Sequence, residues 1–230
     1  MKNVVVFTGA GVSAESGIRT FRDSGGLWEE YSIEEVATPE AWSRNRSLVL
    51  DFYNQRRLQV IAAEPNPAHL ALARLEKLFG VQVITQNIDD LHERAGSTNI
   101  LHLHGEIRKS RSTVDPRLVY EIGGADLNEG DRCEKGSQLR PHIVWFGEAV
   151  PAMDEAVRIT QGADIFIVVG TSLEVYPAAS LVNYAPVGSL KFLVDPSANL
   201  PIGIHDFTLI REAAGIGVPR LVNKLMEQYV

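Results

Sequence analysis

The chain predicts an α/β fold, a Rossmann-like doubly wound parallel sheet carrying a small inserted module. Three observations carry that expectation. Four short apolar runs, at 2–7, 81–85, 165–169 and 191–194, are rich in β-branched residues. That is the composition of parallel strands buried on both faces. Each run ends in small or polar residues: Thr8-Gly9, Gln86-Asn87, Gly170-Thr171-Ser172 and Asp195-Pro196-Ser197. Ligands gather beyond the carboxyl ends of such strands, so four endings of this kind imply one shared crevice. Between the runs lie stretches of helical periodicity. Residues 40–63 carry Trp42, Leu48, Leu50, Tyr53, Leu58 and Ile61; residues 67–79 carry His69, Leu70, Leu72, Ala73 and Leu75; a last helix spans about 218–229.

Residues 105–138 are polar and charged, with Gly123-Gly124 inside them, and read as an excursion from the main sheet. The expected organisation is a single domain over 1–230. Its core comes from 1–36, 80–104 and 141–230, its smaller module from about 37–79 and 105–140. The 230 residues, 45% of them hydrophobic, suffice for one sizeable core. A formal net charge of −7 argues against nucleic acid bound through a basic surface. No run has the length and apolar continuity of a membrane span. The first strand begins almost at once, leaving no room for a signal peptide. Cys133 is the single cysteine, so no internal disulfide framework is expected. A cytoplasmic protein is the simplest reading.

Residues 4–23 are the most informative stretch. The apolar run Val4-Val5-Val6-Phe7 opens into Thr8-Gly9-Ala10-Gly11-Val12-Ser13-Ala14, a looser form of the dinucleotide fingerprint. Gly9 and Gly11 let backbone N–H groups approach a phosphate closely. A plain Rossmann unit would continue as an amphipathic helix. Here Ile18, Phe21, Arg22 and Asp23 follow instead, which suggests chemistry at the site as well as binding.

Four further clusters offer chemistry. Thr85-Gln86-Asn87-Ile88-Asp89 follows a strand end. An amide and a carboxylate two residues apart suit a carboxamide ligand; equally, they suit the cap of the next helix. Leu101-His102-Leu103-His104-Gly105 places two histidines at strand spacing. His104, beside Gly105, is the better general base; a structural histidine is the plain alternative, and no cysteine or carboxylate cluster at ligand spacing supports zinc there. Arg140-Pro141-His142-Ile143-Val144-Trp145-Phe146-Gly147-Glu148 is either a core strand or an edge that pairs with an extended peptide. Tyr53 and Arg56 share a helix face. They are either a half-buried tyrosine beside a surface arginine, or a phenol and guanidinium that hold a carboxylate.

Together these motifs resemble the sirtuin family over essentially the whole chain. The matching segments are Gly9-Ala10-Gly11-Val12-Ser13, Gly17-Ile18-Arg19-Thr20-Phe21-Arg22, Thr85 to Asp89, His104-Gly105, Phe146-Gly147-Glu148 and Gly170 to Leu173. The resemblance implies an NAD-dependent protein-lysine deacylase that releases nicotinamide and O-acyl-ADP-ribose, with acylated-lysine proteins or peptides as partners. It implies His104 as the general base on the ribose hydroxyls, aided by Asn87. Ala10, Ile18, Phe21, Asn87, Ile88 and Asp89 would form the nicotinamide pocket. Gly9, Gly11, Ser13, Arg22 and Gln86 would hold ribose and phosphates. Gly170, Thr171 and Ser172 would bind the phosphate–ribose side, with Asp195 and Ala214 near adenosine. Val144, Phe146 and Gly147 would pair with the substrate backbone.

Two departures sharpen the expectation. Most sirtuins hold zinc with two Cys-x-x-Cys pairs; here that interval contains Ser110, Thr113 and Cys133 alone, so no metal is expected. Tyr53-Asn54-Gln55-Arg56 matches the Tyr-x-x-Arg of class III members, which prefer succinyl, malonyl or glutaryl lysine; Ala37 fits the small wall residue of their acyl pocket. The competing readings are an ordinary deacetylase, an NAD hydrolase or mono-ADP-ribosyltransferase, and a noncatalytic NAD or ADP-ribose sensor.

Overall fold

The computed structural model describes residues 1–18, 31–198, 200 and 204–229. Its main sheet has six parallel strands: β1 (Asn3–Thr8), β2 (Gly80–Thr85), β3 (Ile100–His102), β7 (Ile165–Val169), β8 (Leu190–Val194) and β9 (Phe207–Ile210). They are ordered β3-β2-β1-β7-β8-β9. The order reverses between β1 and β7, which makes their carboxyl ends the switch point of the sheet. Register places Thr8 beside Thr85 and Val169, and Thr85 beside His102.

Alternation along β1 explains the layering. Val4 and Val6 face one side, where α4 (Pro67–Leu75) and α7 (Ala214–Tyr229) cover them. Val5 and Phe7 face the other, under α6 (Met153–Gln161) and the 3₁₀ segment Ala178–Asn183. All four are at most 2% exposed, and each such burial stabilises the fold by roughly 1.5–3 kcal/mol.

The excursion at 105–140 is an antiparallel sheet of β4 (Gly105–Ser112), β5 (Val119–Glu121) and β6 (Leu139–Ile143). A separate core joins it to α1 (Ile33–Val36), α2 (Pro39–Arg44) and α3 (Arg46–Ala62) through Val36, Ala41, Trp42, Phe52, Val60, Ile107 and Ile143. Packing draws the division differently at three places, the first being α1, whose Val36 lies in the core of the small module. Helix α4 packs on the main sheet through Ala68, Ala71, Leu72 and Leu75, not with the smaller module. Residues 139–143 pair with β4 and belong to the small sheet.

The helix expected over 40–63 is two helices. Asn45 breaks it with φ −148°, ψ 78°, and its side chain accepts from the Leu48 N–H at 3.2 Å, capping α3. Among the described residues no helix is long and apolar enough to cross a membrane.

Candidate active site

The site begins where β1 and β7 end. Gly9 N donates to the Val169 carbonyl (3.0 Å), and Gly11 N to that of Gly170 (2.8 Å). Gly170 has φ +61°, and a Cβ there would lie 2.3 Å from Val12 N. A Cβ on Gly11 would lie 2.7 Å from Gly170 Cα. Glycine is required because the two loops touch backbone to backbone. The chain continues through 3₁₀ turns at Ala10–Val12 and Ala14–Ser16, not a long helix. Ile18 is buried; Phe21 and Arg22 lie outside the described residues.

Ser13 is the hub of the next layer. Its hydroxyl donates to Asp89 Oδ2 at 3.0 Å and accepts from Asn87 Nδ2 at 3.0 Å. It also contacts His69 Nε2 at 3.4 Å. His69 Nδ1 accepts from the Asn66 N–H, so Nε2 carries the proton and donates to Ser13. Burial pushes His69 down to about 4, keeping the ring neutral. Burial pushes the Asp89 carboxyl up, although the Leu91 N–H and the Ser13 hydroxyl pull it back. Asn87 N donates to Thr85 Oγ1 at 3.0 Å. Asn87 and Asp89 thus enter one buried network, and Asp89 also caps the Leu91 N–H at 3.2 Å. Capping and site-building coexist.

The two histidines divide their roles. His104 Nδ1 donates to the Gln86 carbonyl at 3.0 Å, which leaves Nε2 as the basic nitrogen. Burial lowers its pKa, partly offset by that hydrogen bond. His102 Nδ1 lies 3.0 Å from the Asn87 carbonyl and Nε2 2.8 Å from Glu93 Oε1. Only His102 lies within β3; the strand ends before His104. Glu93, His102 and Glu106 bring potential ligand atoms within 4.8 Å of one another. Lys109 pairs with Glu106 at 2.8 Å, so Glu106 faces a lysine while Glu93 faces the His102 ring.

At the other end of the crevice, Gln86 Nε2 donates to Thr171 Oγ1 at 3.2 Å. Ser172 is exposed. Asp195 sits at the end of β8 and holds the Ser197 N–H at 2.8 Å, with no hydrogen bond to the other predicted site residues among the described ones. Ala214 opens α7, and Glu15 accepts from the neighbouring Gly215 N–H, tying the first loop to that helix.

A family model described as Sir2 family matches residues 9–177, more than half the chain and every loop just described except those at Asp195 and Ala214. The chain is a member of the Sir2 family. A relative named NAD-dependent protein deacylase from Helicobacter pylori is 54% identical over 99% of this chain and 99% of its own length. Another of that name, from Bacteroides thetaiotaomicron, is 51% identical over 98% and 99%. A Sir2 homologue solved as a complex with NAD superposes with a TM-score of 0.90 at 42% identity, covering all of this chain and 91% of its own.

The Sir2 core meets the small module around Trp145. Its ring N–H donates to the Tyr53 hydroxyl at 3.1 Å, and its backbone N–H to Glu148 Oε2 at 2.8 Å. The Arg140 guanidinium stacks 3.4 Å from the Trp145 ring centroid and also binds Glu148 through Nη1 (2.7 Å) and Nη2 (3.0 Å). Burial would raise the Glu148 pKa, but these bonds win and hold it below its ordinary value. Phe146 N donates to the Ala37 carbonyl at 3.0 Å, and Val144 N to that of His104 at 2.9 Å. Residues 144–148 form a turn beyond β6. The N–H groups of Val144, Trp145 and Phe146 are engaged within the chain. Tyr53 and Arg56, both on α3, are buried, 3% and 9% exposed, and Tyr53 meets this turn through Trp145. Burial pushes the Tyr53 phenol up and the Arg56 guanidinium down; for Arg56, Tyr53 and Asp89 oppose that shift.

Sequence reasoning missed His69, His92 and Trp145 as network members. His92 Nε2 lies 3.1 Å from Thr8 Oγ1, which donates to Thr85 Oγ1 at 2.8 Å. The available signal was Asn66-Pro67-Ala68-His69, a helix start with a histidine at the third helical position.

Proposed function

We propose that this Sir2-family chain, an NAD-dependent protein deacylase, removes acidic acyl groups from lysine: succinyl, malonyl and glutaryl. The observation that carries the reading is the Trp145-to-Tyr53 hydrogen bond. With the phenol oxygen accepting from the indole, its own proton is available to an acyl carboxylate, beside the Arg56 guanidinium one helical turn on. A carboxylate entering a largely apolar channel needs such partners.

The residues fit NAD. Uncharged, glycine-lined loops at the sheet's switch point suit a pyrophosphate. The Asn87 and Asp89 side chains supply amide and carboxyl groups for a carboxamide. Gly9, Ala10, Gly11, Gln86, Gly170, Thr171 and Ser172 would hold the phosphate and ribose side, with Ile18, Ile88, Phe21 and Arg22 at the nicotinamide ribose and Asp195 and Ala214 near adenosine. NAD supplies a labile glycosidic bond to nicotinamide and the ADP-ribose that accepts the acyl group. His104, its Nδ1 proton fixed on Gln86, takes a proton from a ribose hydroxyl at Nε2.

Assays with NAD on matched acetyl, succinyl, malonyl and glutaryl peptides test the assignment. Succinyl turnover should exceed acetyl turnover. Arg56→Met should erase the difference, because a charged hydrogen bond is worth about 1.5–3 kcal/mol, roughly 10- to 150-fold in kcat/KM. Faster acetyl turnover in the wild type, or wild-type selectivity in the variant, would sink it.

A further inference from the structure

We propose that His102 is a positioning residue which, by donating from both ring nitrogens at once, fixes the loop that carries Asn87 and Asp89. The inference rests on the NAD-dependent reading above and names what sets its nicotinamide end.

The geometry leaves His102 little choice. One ring nitrogen faces a main-chain carbonyl at 3.0 Å and the other a carboxylate at 2.8 Å. Neither partner can donate, and a neutral imidazole has only one N–H. Both contacts are hydrogen bonds only when the ring is an imidazolium. Among the described residues the ring of His104, two residues on, has a single acceptor, the preceding carbonyl of Gln86. The pair therefore grips consecutive carbonyls of one loop, the first as a cation and the second as a neutral base.

The surroundings agree with that division. Burial works against the charge on His102, but the bond to Glu93 outweighs it and its pKa is raised. Glu93 comes from α5 (Leu91–Arg94), Glu106 and Lys109 from β4, and Asp89, Asp90 and His92 from the loop and helix in between. Glu106 adds to the attraction, while Lys109 occupies it at 2.8 Å and leaves Glu93 as the partner of the ring.

The target of the grip is specific. Asn87 is held at its N–H by Thr85 Oγ1, at its side chain by Ser13, and at its carbonyl by His102. The next carbonyl, of Ile88, accepts from Ile107 N at 2.9 Å. Thr85 and Ser13 approach from the β1–β2 side. His102 is the tether from β3, and without it the Asn87 peptide plane can turn while its side chain stays bound.

The test uses the full chain and three measurements. Wild type is first assayed for NAD-dependent release of nicotinamide with an acyl peptide. Nicotinamide inhibition constants and peptide KM are then compared for wild type, His102→Phe and Glu93→Gln. His102→Phe should weaken nicotinamide inhibition roughly tenfold and leave peptide KM within about twofold. Glu93→Gln can donate its amide to Nε2, which leaves Nδ1–H on the Asn87 carbonyl, so its nicotinamide constant should stay within about threefold of wild type. Histidine-labelled ¹⁵N spectra of the wild type at neutral pH should show both His102 nitrogens protonated, a readout that stands if His102→Phe fails to fold. A neutral His102 ring, or an unmoved nicotinamide constant in a folded His102→Phe, overturns the inference alone. No nicotinamide release from wild type overturns it together with the reading on which it rests.

Discussion

Ser13 uses each hydrogen-bonding direction of its hydroxyl inside the site: one proton to Asp89, two lone pairs toward Asn87 and His69. That arrangement requires a neutral His69, and burial keeps it so down to about pH 4. The sign of the linkage follows. The unfolded chain takes up the proton near 6.5 and the folded chain only near 4. The stability His69 contributes is complete above 6.5 and is lost as pH falls toward 4, by up to about 3 kcal/mol. His92, pushed the same way, adds to the loss, and Asp89, pushed up, opposes it. Thermal melts from pH 7 to 4 should therefore show a smaller fall in Tm for His69→Gln than for wild type; an equal fall would refute the assignment. His104 makes a separate prediction. Because burial lowers its pKa, the acid limb of kcat/KM should lie below pH 6.5. His104→Ala should lower turnover by roughly 10²–10⁴, and full turnover in that variant would remove it as the base.

At the scale of elements, the small sheet raises the question of what holds it together. Ser112, Cys133 and Ser137 close on one another: Ser112 Oγ to Ser137 Oγ is 2.9 Å, Cys133 Sγ to Ser137 Oγ 3.1 Å, and Cys133 Sγ to Ser112 Oγ 3.4 Å. Ser112 also accepts from the Val114 and Asp115 N–H groups at 3.2 Å. Asp115 in turn binds Arg117 and Lys135. We propose that this cluster stands in place of a metal. Elemental analysis of purified protein should find no stoichiometric zinc, and Ser112→Ala should cost about 1–3 kcal/mol by orphaning buried donors. One zinc per chain would end the proposal. The strands here were not legible in the sequence, because β4 alternates charged and buried residues (Glu106, Arg108, Lys109 and Arg111 beside Ile107, Ser110 and Ser112), and β5 is three residues long. By contrast β1 and β7 were legible because burial on both faces leaves an unbroken apolar run, and β2 and β8 because their carboxyl halves are buried and apolar. The edge strands β3 and β9 are short and partly exposed, and they carry no such signal. Asn45 hid inside a continuous apolar periodicity that its own cap interrupts.

Across the whole molecule, the proposed base and the proposed acyl-tail residues come from different elements. His104, Asn87 and the glycine loops hang from the carboxyl ends of the main sheet. Tyr53 belongs to the core of the small module, and Arg56 is buried one turn further along the same helix. Ile18 and Ile88, proposed for the nicotinamide pocket, pack with Tyr53 in that core, and Asp89 acts electrostatically on Arg56, so Arg56→Met should change acyl preference and the nicotinamide inhibition constant together. An unmoved nicotinamide constant in that variant would show the two pockets to be independent. The arrangement also explains which parts of the site could be read beforehand. The strand-end residues announce themselves by glycine and amide at the end of an apolar run. The partners that lock them come from far away in sequence: His69 to Ser13 across 56 residues, and Trp145 to Tyr53 across 92. Neither pairing leaves a local pattern.

The indole of Trp145 stands between the two recognition sites proposed above. Its main chain lies in the turn that would meet a peptide, and its ring nitrogen holds the phenol that would meet the acyl tail. On the proposed reading, a shift of the turn on peptide docking would be transmitted to the phenol, and strain on the phenol would return to the turn. The two halves of an acyl-lysine substrate would then bind as a single linked equilibrium, and reciprocity would require that a better acyl group tighten the peptide by the same factor that a better peptide tightens the acyl group. In this enzyme, preference for a modification and preference for the sequence around it would be one thermodynamic property, carried by one tryptophan.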